Sequence, residues 1–158
     1  MSKKNIFVLL IVFFIVALVF IIIFWAKPLY QGWKINQEAQ KFVDDYTKPL
    51  KEDNYGGKTP EETWDMFMNA LKKGDTDLAA KYFEVKEQAE TKEWLAEVKR
   101  ENMLETMIKD LIANNLNESR KDESIAEYTI SDKKNKKIIA SITFIKNIFT
   151  NIWKISSL

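Results

Sequence analysis

An α+β domain behind an N-terminal transmembrane helix is the fold class this sequence predicts, on three observations. Residues Ile6–Trp25, IFVLLIVFFIVALVFIIIFW, run twenty positions without a charge, an amide side chain or a proline. From Thr59 to about Asn114 the apolar residues recur at the helical period of 3.6, and from Ser124 onward at the period of two that strands require. Helices first and strands later, joined by short loops, is the order of an α+β domain with an antiparallel sheet.

As a helix the apolar run is roughly 30 Å long, the thickness of a bilayer's hydrocarbon core. It is apolar all round, whereas a helix at a protein surface keeps a polar stripe. It is also too long for a secretory h-region, and Phe24 stands where a cleavage site before Ala26 would need a small residue. No cysteine follows to receive a lipid. Residues 1–27 are therefore expected to be a basic tail and retained signal anchor that meets the lipid bilayer through Ile6–Trp25. Lys3 and Lys4 precede the span, and Lys27, Lys34 and Lys41 follow it. The compact pair on the short tail favours an inside amino terminus and an extracytoplasmic C-terminal domain on the cell membrane. Trp25, Tyr30 and Trp33 fit an aromatic belt at the exit.

Residues 28–58 read as a juxtamembrane stalk and linker. Pro28 is expected to end or kink the membrane helix, because it cannot donate to the ladder. Ile35, Ala39, Phe42, Val43 and Tyr46 then recur at helical spacing, which makes the stalk amphipathic. Pro49 is expected to close it, with KEDNYGGKT (Lys51–Thr59) as a polar linker.

Residues 59–158 form the expected α+β domain. Thr59-Pro60-Glu61-Glu62 is a capping box with proline at the first helical position. Trp64, Phe67, Met68 and Leu71 make one apolar face, Gly74 supplies a left-handed stop, and Asp75 caps a short second helix carrying Leu78, Ala79, Tyr82 and Phe83. A third helix over about Thr91–Glu101 turns Trp94, Leu95 and Val98 inward, and Asn102 breaks it. A fourth, from Met103 to about Asn114, turns Leu104, Met107, Ile108, Leu111 and Ile112 inward. Three strands follow. Ala126, Tyr128 and Ile130 share a face of the first, Ile138, Ala140, Ile142 and Phe144 of the second, and IWKISSL is the last. No fourth strand is evident, and no acidic residue lies on the apparent inward face of these strands.

The chain has 158 residues, 24 basic and 23 acidic, with no histidine and no cysteine. The missing types remove thiol nucleophiles, Cys-based zinc sites and the commonest general base and transition-metal ligand. A near-balance of charge argues against nucleic acid as a partner. Neither a cofactor nor a metal is expected. Asp75-Thr76-Asp77 has the opening spacing of a calcium loop but lacks its later glycine and glutamate. Asp44-Asp45 diverge on a helix and suit a solvated face. Lys133, Lys134, Lys136 and Lys137 form a basic hairpin loop that blunts a sheet edge or touches acidic lipid. Asn117-Glu118-Ser119 has the form of a glycosylation acceptor, a common tripeptide.

The TPEETWDMFMNALKKGDTDLAAKYF opening, followed by helices and by a meander ending in WKI, resembles the nuclear-transport-factor-2-like superfamily. These are cystatin-like α+β cones, here similar to uncharacterised bacterial membrane-anchored or lipoprotein domains. The matching positions are Glu62–Tyr82, Phe144 and Trp153-Lys154-Ile155. The resemblance implies a cone-like fold and an envelope setting. Its enzymes, ketosteroid isomerases and polyketide cyclases, place an Asp, His or Tyr inside the cone, and no such catalytic residue transfers by position. Trp64, Phe67, Tyr82, Tyr128, Phe144 and Trp153 could line an apolar ligand cleft or simply form core, with Tyr128 the polar handle if a pocket exists. The expectation is a non-catalytic binding or interaction module for an envelope protein or small apolar ligand. Two alternatives stand beside it: an isomerase- or cyclase-like enzyme with a carboxylate–tyrosine pocket, and a structural subunit of a membrane complex.

Overall fold

A computed structural model describes residues 3–113, 115–133 and 136–158, and it is α+β. The order is α1 (Lys3–Glu52), α2 (Pro60–Lys72), α3 (Thr76–Ala80), α4 (Gln88–Arg100), α5 (Leu104–Ala113), then β1 (Asn115–Lys121), β2 (Ile125–Ser131), β3 (Ile138–Lys146) and β4 (Trp153–Ser157). The chain forms two compact units, residues 1–47 and residues 48–158.

The first unit is helical. α1 carries one run long and apolar enough to cross a membrane, and none of that run is buried within the protein. Pro28 does not end the helix, which continues to Glu52, past Pro49 as well. A proline removes one amide from the ladder, and the chain stays helical on both sides of it.

In the second unit α2 begins as its sequence requires. Thr59 is extended and its hydroxyl accepts from the Glu62 amide at 3.2 Å, with Pro60 at the first turn. The reciprocal half of the box is displaced by one residue: Glu62 Oε2 accepts from the Lys58 amide at 2.7 Å. Gly74 takes a φ of 67° at the stop, Asp75 accepts from the Leu78 amide at 2.9 Å, and Asn102 breaks between α4 and α5 at φ 58°. Leu95 is buried and Val98 half-buried on α4, but Trp94 faces solvent, as does Ile112 on α5. Neither α4 nor α5 is packed all round, so the outer apolar residues of each remain uncovered.

The sheet is a meander in the order β1-β2-β3-β4, all antiparallel. Its first strand corrects the sequence reading, which ended a helix here and found no fourth strand. Asn115–Lys121, NLNESRK, lacks alternating apolar residues because an edge strand has little to bury; only Leu116 packs against the core. Charges and a register shift between Glu118 and Arg120 suit an edge that resists further pairing. At the other margin β4 is bridged by Gly57 and by Phe83. Alternation along β2 buries Ala126, Tyr128 and Ile130, which meet Phe67 and Leu71 of α2, Ile142 and Phe144 of β3, and Ile155 of β4 in one core.

Candidate functional site

The six residues proposed to line a cleft all lie in that core. Trp64 and Phe67 come from α2, Tyr82 from the turn after α3, and Tyr128, Phe144 and Trp153 from β2, β3 and β4. Their rings close on one another: Trp64 and Phe67 have centroids 5.4 Å apart, Phe67 meets Phe83 edge-on at 5.6 Å, and Tyr128 meets Phe144 edge-on at 5.4 Å. Phe67 and Phe144 are 0% exposed, so no void large enough for water adjoins either ring.

Tyr128 alone among the six carries its polar end to an acidic partner. The ring is buried, and the hydroxyl donates a hydrogen bond to Glu61 Oε1 in the first turn of α2. Glu118 Oε2 lies 3.2 Å from the same hydroxyl. Lys121 closes the cluster, 3.2 Å from Glu61 and 3.7 Å from Glu118. Acidic groups therefore reach this hydroxyl from α2 and from β1, outside the three strands whose inward face the sequence showed free of them. Glu118 stands directly opposite Tyr128 in the β1–β2 register and shares its face. Recognising β1 would have found it. Glu61 follows from the capping box, but no sequence signal aims it at β2.

The protonation states follow from this geometry. Burial raises the Glu61 carboxyl, but hydrogen bonds from Tyr128, its own backbone, Thr59 and Lys121 outweigh it and hold the pKa at about 2. Burial first, then the hydrogen bond and charge of Glu61, then those of Glu118, push the Tyr128 phenol far above its ordinary value. At neutral pH the proton stays on tyrosine and the carboxylate is ionised with its donors in place. A general base needs a pKa near the working pH, and Glu61 is held far below it. The cluster is a clamp between α2 and the sheet.

A second polar group was not anticipated at all. Lys154, the middle residue of WKI, is 2% exposed. Strand alternation turns it away from Trp153 and Ile155 on either side. Its ammonium donates to the Tyr55 carbonyl at 2.5 Å and the Lys81 carbonyl at 2.6 Å, and pairs with Asp53 Oδ2 at 2.7 Å. Two backbone carbonyls accept from the ammonium, and the Asp53 carboxylate supplies the opposite charge beside it. Burial pushes this ammonium below the ordinary lysine value, and the hydrogen bond and charge of Asp53, with Glu84 beyond, pull it back in part.

The same contacts show what residues 51–59 do. Expected as a polar linker, this stretch is stitched to β4. Trp153 donates from its amide to the Gly57 carbonyl at 2.8 Å, and Thr63 Oγ1 both accepts from the Gly57 amide and donates to the Trp153 carbonyl, each at 2.9 Å. A Cβ on Gly56 would stand 2.3 Å from the Trp153 carbonyl oxygen, and one on Gly57 would stand 2.4 Å from Glu62 Cβ. The paired glycines let the backbone approach that closely. Farther back, Asn147 Nδ2 donates to the Leu50 carbonyl at 2.8 Å and caps the last turn of α1.

Of the hairpin lysines, Lys133, Lys136 and Lys137 are within the described residues and Lys134 lies outside them. Asp44 and Asp45 are exposed on α1, and Asp75 serves as a cap. Comparison with protein-family models, with curated proteins and with solved structures finds no match to this chain.

Proposed function

We propose that this chain is a single-pass membrane protein whose α+β domain is an extracytoplasmic, non-catalytic interaction module of the bacterial envelope. The observation that carries the reading is a division of labour. The apolar run of α1 is exposed along its length and needs lipid to cover it, while seven aromatic residues of the domain, from Trp64 to Trp153, pack into its own core. Removing twenty apolar side chains from water outweighs the cost of ordering one helix in a bilayer. A filled interior leaves the surface as the place where the domain meets a partner, another envelope protein ahead of a small apolar ligand. Tethering confines the search for that partner to the membrane plane and raises effective concentration.

The resemblance to nuclear-transport-factor-2-like cones is part of this reading and rests on the sequence pattern of Glu62–Tyr82, Phe144 and Trp153-Lys154-Ile155. The isomerase-like alternative has one observation in its favour, the pairing of Tyr128 with Glu61. The same pairing weighs against it, because a carboxylate held near pKa 2 is a weak base at neutral pH.

Protease treatment of intact cells, followed by alkaline carbonate extraction of their membranes, tests the proposal. The expected result is loss of the domain to external protease and retention of the α1 stub in the membrane. A domain protected until the cells are lysed would overturn the orientation. Release of the uncut chain by carbonate would overturn the anchor.

A further inference from the structure

Beyond the apolar run α1 continues without a break, and the stretch that follows is two-faced. Ile35, Ala39, Phe42 and Tyr46 succeed one another at steps of four, three and four residues. That alternation is the 3.5-residue period that keeps one stripe facing a partner helix. Val43 flanks the stripe. Ile35 is 64% exposed, Phe42 75%, Val43 49% and Tyr46 69%. Two aromatic and two β-branched side chains on one helix side thus lie open to water, a costly arrangement unless something covers them.

The charge balance of the stalk argues against lipid as the cover. Helices that lie in a membrane surface are rich in Lys and Arg on the polar face. Here Lys34 and Lys41 are balanced by Glu38, Asp44 and Asp45, and Lys34 pairs with Glu38 at 3.7 Å. The span itself offers little for association, since Ala17 is its one small residue and it contains no glycine.

We infer that the stalk pairs in parallel with the stalk of a second copy of this chain, through a seam of Ile35, Ala39, Phe42 and Tyr46. Copies anchored in one membrane share direction and depth, so identical positions meet in register. Ala39 lets the backbones approach between the Ile35 layer and the aromatic layers of Phe42 and Tyr46. Phe42 and Tyr46 bring about 150 Å² each, so the aromatics of two copies supply about 600 Å². Ile35 and Val43 bring the total toward the roughly 1,000 Å² at which specific interfaces begin. The seam is shorter than the three to four heptads expected of a free-standing coiled coil. Pairing therefore rests on the anchor reading, which supplies the effective concentration.

The absence of native cysteine makes the test direct. Single substitutions I35C, A39C, F42C and Y46C on the seam, and Q37C, K41C and D44C away from it, are made in the full chain. Each variant is oxidised in native membranes. Disulfide-linked dimer is expected to be at least about fivefold more abundant at seam positions, because bridging requires Cα atoms within about 7 Å. A39C, small for small, keeps the test valid where losing an aromatic weakens the seam. Cross-linking that is absent or equal around the helix, in a chain that resists carbonate extraction, would overturn the pairing alone. Seam cysteines that fail to cross-link and are shielded from a membrane-impermeant maleimide would also overturn it and assign the stripe to lipid. Extraction of the chain by carbonate would overturn the anchor and the pairing that depends on it.

Discussion

Lys154 on β4 and Tyr128 on β2 each join a strand to an acidic residue from outside the sheet, yet the two sites differ in their contact with water. Side-chain exposure is 3% for Lys154 and 4% for Asp53, against 35% for Lys121 and 47% for Glu61. A pair taken fully out of water must have every proton and lone pair matched, and removing one partner leaves an uncompensated charge. A half-exposed cluster keeps water as a substitute, so its loss is partly made good. The first site is a buried staple between residues 53–55 and β4; the second is a half-exposed clamp between α2 and the sheet.

The largest effect should come from breaking the staple on one side only. Lys154→Ala leaves Asp53 buried without its counter-charge and removes the lysine donor from the Tyr55 carbonyl, while Gln88 Nε2 still donates to the Lys81 carbonyl, and it should cost about 3–5 kcal/mol in thermal unfolding of the detergent-solubilised chain. The double substitution Asp53→Asn with Lys154→Met should recover part of that loss, and a cycle through both single variants measures the coupling. Simple additivity would mean that the two residues do not act as a pair. Next, Gly57→Ala places a methyl group against Glu62 and should cost about 1–3 kcal/mol by overpacking. An unchanged unfolding temperature would show that the stitch to β4 can yield.

Smaller effects belong to the clamp. Tyr128→Phe keeps the buried ring and removes one hydroxyl, with an expected loss of about 1–2 kcal/mol, since the bond it loses is to an ionised group. A loss as large as that of Lys154→Ala would erase the distinction between the two sites. The smallest is a pH effect. The Glu61 pKa is depressed in the fold, from 4.5 to about 2, so its contribution is fully present above about pH 4.5 and is lost as pH falls toward 2. With the carboxylate half exposed, that contribution should amount to about 1 kcal/mol. Glu61→Gln should flatten this part of the acid unfolding curve, and a curve unchanged in shape would place the acid sensitivity elsewhere.

Local chemistry made much of the fold legible. Thr59, Pro60, Gly74, Asp75 and Asn102 each do what their backbone preferences dictate, because caps and stops depend on neighbours within four residues. The alternation of Ala126, Tyr128 and Ile130 likewise announced β2, since a strand with one buried face must alternate. β1 was missed for the complementary reason: an edge strand of polar residues is held by its neighbour's hydrogen bonds and leaves no hydrophobic pattern. With β1 went Glu118, and with it the acidic side of the Tyr128 cluster.

By itself, then, the sequence determined the apolar run of α1, the α+β order, the boundaries of α2 and the burial of Trp64, Phe67, Tyr82, Tyr128, Phe144 and Trp153, though not the exposure of Trp94. These follow from length, period and capping, which act along the chain. Only the tertiary structure decided that the glycine pair would lie against β4, that the lysine of WKI would be buried, and that Tyr128 would meet Glu61. Lys154 and Asp53 are far apart in sequence, and nothing local distinguishes a lysine that will be buried from one that will be solvated. That distinction arises once Tyr55, Lys81 and Asp53 converge on one ammonium, since only together do they replace the water it gives up.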